Sequence, residues 1–260
     1  FVYVWHMNSA GVALGTVLAQ YTGLLVSLFL LKKHYGKLFQ HYHKKLLLDV
    51  PFLKNFFRVN SDIFIRTFCV IVVFTLFTSK SAGINDHILA VNSILIQFLM
   101  FFSFFIDGFA FAGEALAGKF VGAKDEVSFR LLVKRLFAWG AALALAFSLI
   151  YLVGNRGIIS LLTSNAEIYE TARQFLPWVV AIPLFSFASF VWDGIYIGIT
   201  ASREMRNSML ASTILLFAPA FFLMQSVIGN HALWLGMCMF MLGRAIFQSL
   251  LFPRVMRKAF

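Results

Sequence analysis

Seven long apolar runs dominate this chain of 260 residues and leave few folds open to it. They lie at roughly 9 to 31, 60 to 79, 86 to 112, 134 to 153, 174 to 200, 208 to 228 and 232 to 252. The hydrocarbon core of a bilayer is about 30 Å thick, and a helix rising ~1.5 Å per residue needs about 20 apolar residues to cross it. Each run meets that length. The expected fold is therefore an all-α polytopic membrane protein with about seven transmembrane helices.

Composition excludes the soluble alternatives. Hydrophobic residues make up 60% of the chain and charged residues 13%, against roughly half and about a quarter in soluble domains. The net charge of +11 raises the question of nucleic acid. Nucleic-acid binders spread Lys and Arg over a polar surface, whereas here they collect in short blocks between apolar runs. The bilayer, not a nucleic acid, is the expected partner. Cys69 and Cys238 sit inside apolar runs and read as small buried hydrophobes rather than a disulfide or a metal site. No basic n-region, apolar h-region and cleavage site precede the first run, and the chain opens on Phe1. It reads as a piece of something longer.

The basic blocks orient the expected helices, because loops rich in Lys and Arg stay cytoplasmic. Lys32, Lys33, Lys37, Lys44, Lys45, Lys54 and Arg58 lie between the first two segments; Lys119, Lys124, Arg130, Lys134 and Arg135 lie between the third and fourth. Arg203 and Arg206 mark the turn after the fifth, and Arg254, Arg257 and Lys258 the C-terminus. The opposite side has only Lys80, Arg156 and Arg173. The first helix thus starts outside and the C-terminus is expected in the cytoplasm. Within the first connection, KLFQHYHKKLLLDVPFLKNFF has the clustered Leu, Phe and Lys of an amphipathic interfacial helix ahead of Pro51. His41 and His43 stand there among lysines, which favours a solvated basic surface over a metal site.

Ionisable groups at membrane depth cost several kcal/mol, roughly, and mark functional candidates. The third and fifth segments each carry an Asp-Gly pair, Asp107-Gly108 and Asp193-Gly194. Counting from Lys119 and Arg203, both carboxylates fall roughly 15 to 18 Å from a cytoplasmic anchor, which suggests a shared polar cavity. Glu114 follows Asp107 by two helical turns on nearly the same face. Such carboxylates can exchange a proton or bind Na⁺ or an organic cation; the plainer reading wets them at the cytoplasmic edge. Tyr196 lies one turn beyond Asp193 and joins the cavity set. Asp62 and Arg66 are spaced as an i, i+4 ion pair, a structural or gating feature, and Arg244 needs an acid such as Asp193 or Asp107. Gly194, Gly198, Gly113 and Gly118 with neighbouring alanines permit close helix contact, and Pro177 and Pro183 are expected to kink the fifth helix.

Four stretches in order, NSDIFIRT, the Asp-Gly-Phe-Ala lead with GEALAGKFVGAKD, and DGIYIGITASREMRNSM, resemble the DinF-like branch of the MATE (multidrug and toxic compound extrusion) transporters. The resemblance runs through essentially the whole chain. It implies the C-lobe of the MATE fold: residues 1–33 as the last helix of the N-lobe, 34–59 as a cytoplasmic connection and 60–260 as a six-helix C-lobe. It also implies a secondary antiporter of the bacterial inner membrane, exporting drugs or cationic metabolites against H⁺ or Na⁺ and needing no other cofactor. The N-terminal lobe is then the missing partner, and the proton-coupling acid of this branch lies in it. In other branches cation-binding acids stand on helices matching the second and fifth segments; here the fifth has Asp193 while the second has only Asp62 near its inner end.

The alternatives are a flippase for a lipid-linked substrate, which calls for a longer and more basic cavity, and an inert half-transporter. An enzyme is not expected, because the apolar segments hold no Ser/His pairing and no His-Glu metal motif.

Overall fold

In a computed structural model, described for residues 7, 9–36 and 49–260, the chain is helical throughout. The helices are α1 (Ser9–Tyr35), α2 (Val50–Ile84), α3 (Asp86–Gly122), α4 (Glu126–Leu162), α5 (Ala166–Gly198), α6 (Ser202–Ala211), α7 (Ala218–Ile228) and α8 (His231–Ala259). A π-helical stretch, Ser212–Phe217, joins α6 to α7, so the sixth apolar run is one interrupted rod. Among the described residues seven helices or rods are long and apolar enough to cross a membrane. The protein is an all-α integral membrane protein.

The helices outrun the apolar segments that announce them. Spans of 33 to 37 residues in α2 to α5 exceed the roughly 20 that a bilayer core needs. Hydropathy marks only the part of a helix in hydrocarbon, and the backbone hydrogen-bond ladder continues into the interface. Residues 50–59, expected in a connection, are thus the first turns of α2, with Pro51 at an early position where its missing N–H costs nothing. The remainder of the expected amphipathic stretch, with His41 and His43, lies outside the described residues. Side-chain caps start α3, α4 and α5: Asn85 accepts from the Ile88 N–H at 2.7 Å, Asp125 from Ser128 at 3.0 Å and Asn165 from Glu167 at 2.9 Å. Lys124, Thr200 and Gly229 take positive φ at the tight turns that follow α3, α5 and α7. The fifth helix remains continuous through Pro177 and Pro183.

Two compact units divide the chain, residues 1–56 and 57–260. In the first, α1 presents apolar side chains on every face, among them Val12, Tyr21, Leu25 and Phe29. In the second, α5 is the hub, packing along α3, α4 and α8. Its closest approach is to α3, and glycine makes it possible. A Cβ on Gly194 would lie 2.1 Å from the Ala110 carbonyl oxygen, and one on Gly198 2.2 Å from that of Glu114. With no hydrophobic effect between helices in lipid, such backbone contact is the main source of association. Phe98, Phe102, Phe129, Phe217, Phe240, Tyr151, Tyr196 and Trp234 fill the interior, while Phe104, Val153, Leu161 and Leu223 point outward. Apolar residues on both sides are what a lipid solvent permits.

One helix departs from this close packing. Among the described residues α2 makes no backbone approach comparable to that of α3 and α5. It reaches its neighbours through long side chains instead, as where Phe77 meets Trp234 edge-on at 5.1 Å. The wider spacing leaves room for a cavity.

Candidate functional site

The contact of Gly194 with Ala110 places Asp193, the residue before the glycine, and Asp107, one turn before the alanine, on the wall of one cavity. The cavity measures about 370 Å³ and lies among α2, α3, α5 and α8. Its charged lining consists of Asp107, Glu114 and Asp193 against Arg66 and Arg244, with Phe74, Met100, Phe111, Phe190 and Met241 among the apolar residues beside them. Aromatic and thioether surface beside convergent charges is the usual composition of a ligand pocket.

Asp193 is the centre of the charges, at 6% exposure. Its Oδ2 accepts from Arg66 Nη2 at 2.5 Å and from Arg244 Nη2, and its Oδ1 accepts from Gln248 Nε2 at 2.8 Å. The two arginines have different settings. Arg244 is 3% exposed; its guanidinium lies 5.7 Å from the Phe190 ring centre and 5.5 Å from that of Phe240, and Nη1 points to the Met241 sulfur at 3.2 Å. It is clamped by cation–π contacts and burial. Arg66 keeps 21% of its side chain exposed on the cavity wall. The Nε of both arginines and Oε1 of Gln248 are buried without a hydrogen-bond partner.

Asp107 and Glu114 are half-buried on the cavity wall, and neither makes a hydrogen bond or ion-pair contact among the described residues. Asp107 stays within electrostatic reach of Asp193, Arg66 and Arg244. The expected juxtaposition of the two Asp-Gly carboxylates is therefore present in the geometry, and Asp193 is the acid that Arg244 requires.

Two expected relations are corrected. Asp62 and Arg66 do not pair. Asp62, 2% exposed, accepts from Arg206 Nη1 at 2.5 Å and from Ser202 Oγ at 3.0 Å, while Arg66 turns to Asp193. An i, i+4 pair on a single helix contributes only about 0.2–0.5 kcal/mol. A carboxylate at the N-terminus of α6, with a hydroxyl and a guanidinium donated to it, gains more. Tyr196 does not line the cavity: it is fully buried and donates its hydroxyl to the Gln248 carbonyl oxygen at 2.6 Å. Three residues after Asp193 it lies off the cavity-facing side of α5, and its hydroxyl is taken up by the α8 backbone.

Gln248 and the Ser202–Arg206 pair are absent from the sequence-derived set. A search for ionisable groups passes over Gln248, yet an amide one turn after Arg244 in an apolar run is the signal that would have found it. Also unannounced is a neutral cluster built on Asn92. Its Nδ2 donates to Ser81 Oγ at 2.7 Å and to Asn230 Oδ1 at 2.8 Å; its Oδ1 accepts from Asn230 Nδ2 at 3.1 Å and Trp234 Nε1 at 3.0 Å. Among the described residues no three His, Cys, Asp or Glu side chains gather as a metal site, and Cys69 and Cys238 are free and buried.

A helical bundle with seven membrane-length apolar spans among its described residues, and with charged residues facing a partly aromatic cavity, defines an integral membrane protein with a charged cavity within its helices. The MatE family profile matches residues 63–224. The chain is 34% identical to DNA damage-inducible protein F of Escherichia coli (strain K12) over 255 residues, covering 96% of this chain and 54% of that protein. It is 24% identical to Protein DETOXIFICATION 45, chloroplastic, of Arabidopsis thaliana over 93% of this chain and 42% of that protein. For Protein DETOXIFICATION 42 of the same plant the values are 26%, 94% and 46%. The chain belongs to the MatE family. It spans about half the length of the curated relatives it matches.

Proposed function

We propose that this chain forms one wall of the central cavity of a secondary transporter that exports organic cations, with H⁺ or Na⁺ entry driving the exchange. The observation that carries the reading is the state of Asp107 and Glu114: two carboxylates without a bonded partner, facing a cavity lined by Phe and Met. A lipophilic cation satisfies both features at once, since the acids supply the counter-charge and the aromatic faces the cation–π surface. Membership of the MatE family supports multidrug or toxic-compound efflux as the general activity.

In the same reading the C-lobe begins with α2, whose first turns take residues 50–59 from the expected inter-lobe connection, and residues 1–33 are the last helix of an N-terminal lobe that supplies the opposite wall. The basic blocks support a cytoplasmic C-terminus, and the likeness to the Escherichia coli protein supports a bacterial inner membrane. The chain acts by binding and moving its substrate rather than by altering it chemically.

The test is ethidium efflux from cells producing the two-lobed transporter with Asp107→Asn, Glu114→Gln or both. The double variant is expected to lose at least about tenfold in efflux rate, the usual scale for removing a charged ligand contact. Efflux at the parent rate from the double variant overturns the reading.

A further inference from the structure

Asp193 is the most buried carboxylate on the cavity, and its lone pairs are already committed. Arg244 and Gln248 alone would satisfy it: one full positive charge on Oδ2 and one amide donor on Oδ1. Arg66 adds a second guanidinium to the same Oδ2. The triad of Arg66, Arg244 and Asp193 thus carries one surplus positive charge at membrane depth. Arg244 has no freedom to leave, being enclosed by Phe190, Phe240 and Met241. Arg66 does: it is the more exposed of the two and stands on the loosely packed α2.

We propose that Arg66 is a specificity-determining residue, a built-in cation that occupies the cation position at Asp193 and confines any transported cation to Asp107 and Glu114. Two consequences follow from the charges. A metal cation such as Na⁺ needs several oxygen lone pairs and cannot approach a carboxylate already covered by two guanidiniums, so Asp193 takes no sodium ion while Arg66 is present. Removing the Arg66 charge leaves Asp193 still paired with Arg244 and Gln248, so the variant retains a compensated core and gains local negative potential. The inference rests on the cationic reading of the cavity given above.

The test uses the 260-residue chain in phosphatidylcholine nanodiscs, with tetraphenylphosphonium as probe and binding measured calorimetrically with either sodium or N-methylglucamine as the buffer cation. Arg66→Gln is expected to bind the probe about tenfold more tightly than the parent, a conservative share of one unit charge acting across a partly screened cavity. Sodium is expected to weaken probe binding more in Arg66→Gln than in the parent, because only the variant offers it a site beside Asp193 as well as at Asp107 and Glu114. Arg66→Lys should stay near the parent value, and Arg130→Gln, which removes a distant surface ion pair with Glu126, should match it. Should Arg66→Gln not fold, Arg66→Met fills similar space without charge and must show the same gain.

The outcomes separate the two readings. Equal affinity of the parent and Arg66→Gln, with both weakened by Asp107→Asn, overturns the role of Arg66 and leaves the cationic cavity standing. Tighter binding by Arg66→Gln with Asp107→Asn equal to the parent supports Arg66 and removes Asp107 as a ligand. Weaker binding by Arg66→Gln shows Arg66 acting as a ligand itself and overturns the inference; no binding by either chain overturns both.

Discussion

The Asn92 cluster and the Asp193 cluster are built alike and finished differently. Each draws side chains from α2 and α8 onto a polar residue of the bundle interior, with α3 carrying Asn92 for one and α5 carrying Asp193 for the other. Around Asn92 both amide hydrogens and the carbonyl oxygen are matched, and the Ser81 hydroxyl donates to the Phe77 carbonyl oxygen at 2.7 Å. Around Asp193 three buried polar atoms have no partner, and a cavity of about 370 Å³ opens beside them. Burying polar atoms unpaired costs about 1–3 kcal/mol each, so the bundle tolerates at one place a cost it avoids at the other. A fully matched neutral network fastens helices. A partly matched charged one leaves polar atoms unpaired beside an open cavity.

Variants can break that distinction, and the largest effect is expected at Arg244. Arg244→Met removes the clamped partner of Asp193 and is expected to cost about 3–5 kcal/mol of stability, as for other broken buried pairs. Arg66→Gln, with Arg244 still in place, should cost less than half as much; unfolding by SDS in mixed micelles measures both, and equal losses would show the two arginines to be equivalent.

Next in size is Gly194→Val. Its side chain cannot enter the 2.1 Å gap to the Ala110 carbonyl, so α3 and α5 must separate, at roughly 3 kcal/mol for an overpacked contact. Because Asp193 is the adjacent residue, probe binding should fall together with stability. Retained binding in a destabilised Gly194→Val chain would detach the cavity from this helix contact.

Asn92→Ala and Asp107→Asn form the sharpest pair. The first should lose about 1–2 kcal/mol, at the scale of interhelical hydrogen bonds in membranes plus unpaired neighbours, with tetraphenylphosphonium binding intact. The second should lose about tenfold in binding with little change in unfolding. Any exchange of these two phenotypes reverses the assignment of fastener and site. The smallest effect is expected from Asn165→Ala, which removes the cap of α5 at about 1 kcal/mol and touches neither cluster.

Much of the fold was legible because its signals are local. Length, hydropathy and the placement of Lys and Arg mark seven spans. The depth match of Asp107 and Asp193 was readable for the same reason, being a count of residues along two rods. Helix ends were not, since the backbone ladder continues where hydropathy stops. Asp62 and Arg66 show the other limit: spacing on one helix makes them neighbours, and the fold gives each a stronger partner 144 and 127 positions away.

By itself, then, the sequence determined that lipid is the solvent and which few polar residues must lie within it, because transfer free energy is a property of each segment alone. Only the tertiary structure decided that Asp193 is covered by two arginines while Asp107 and Glu114 stay open. Pairing depends on which helices approach closely, and that is set by glycines in backbone contact across α3 and α5 and by the stand-off of α2.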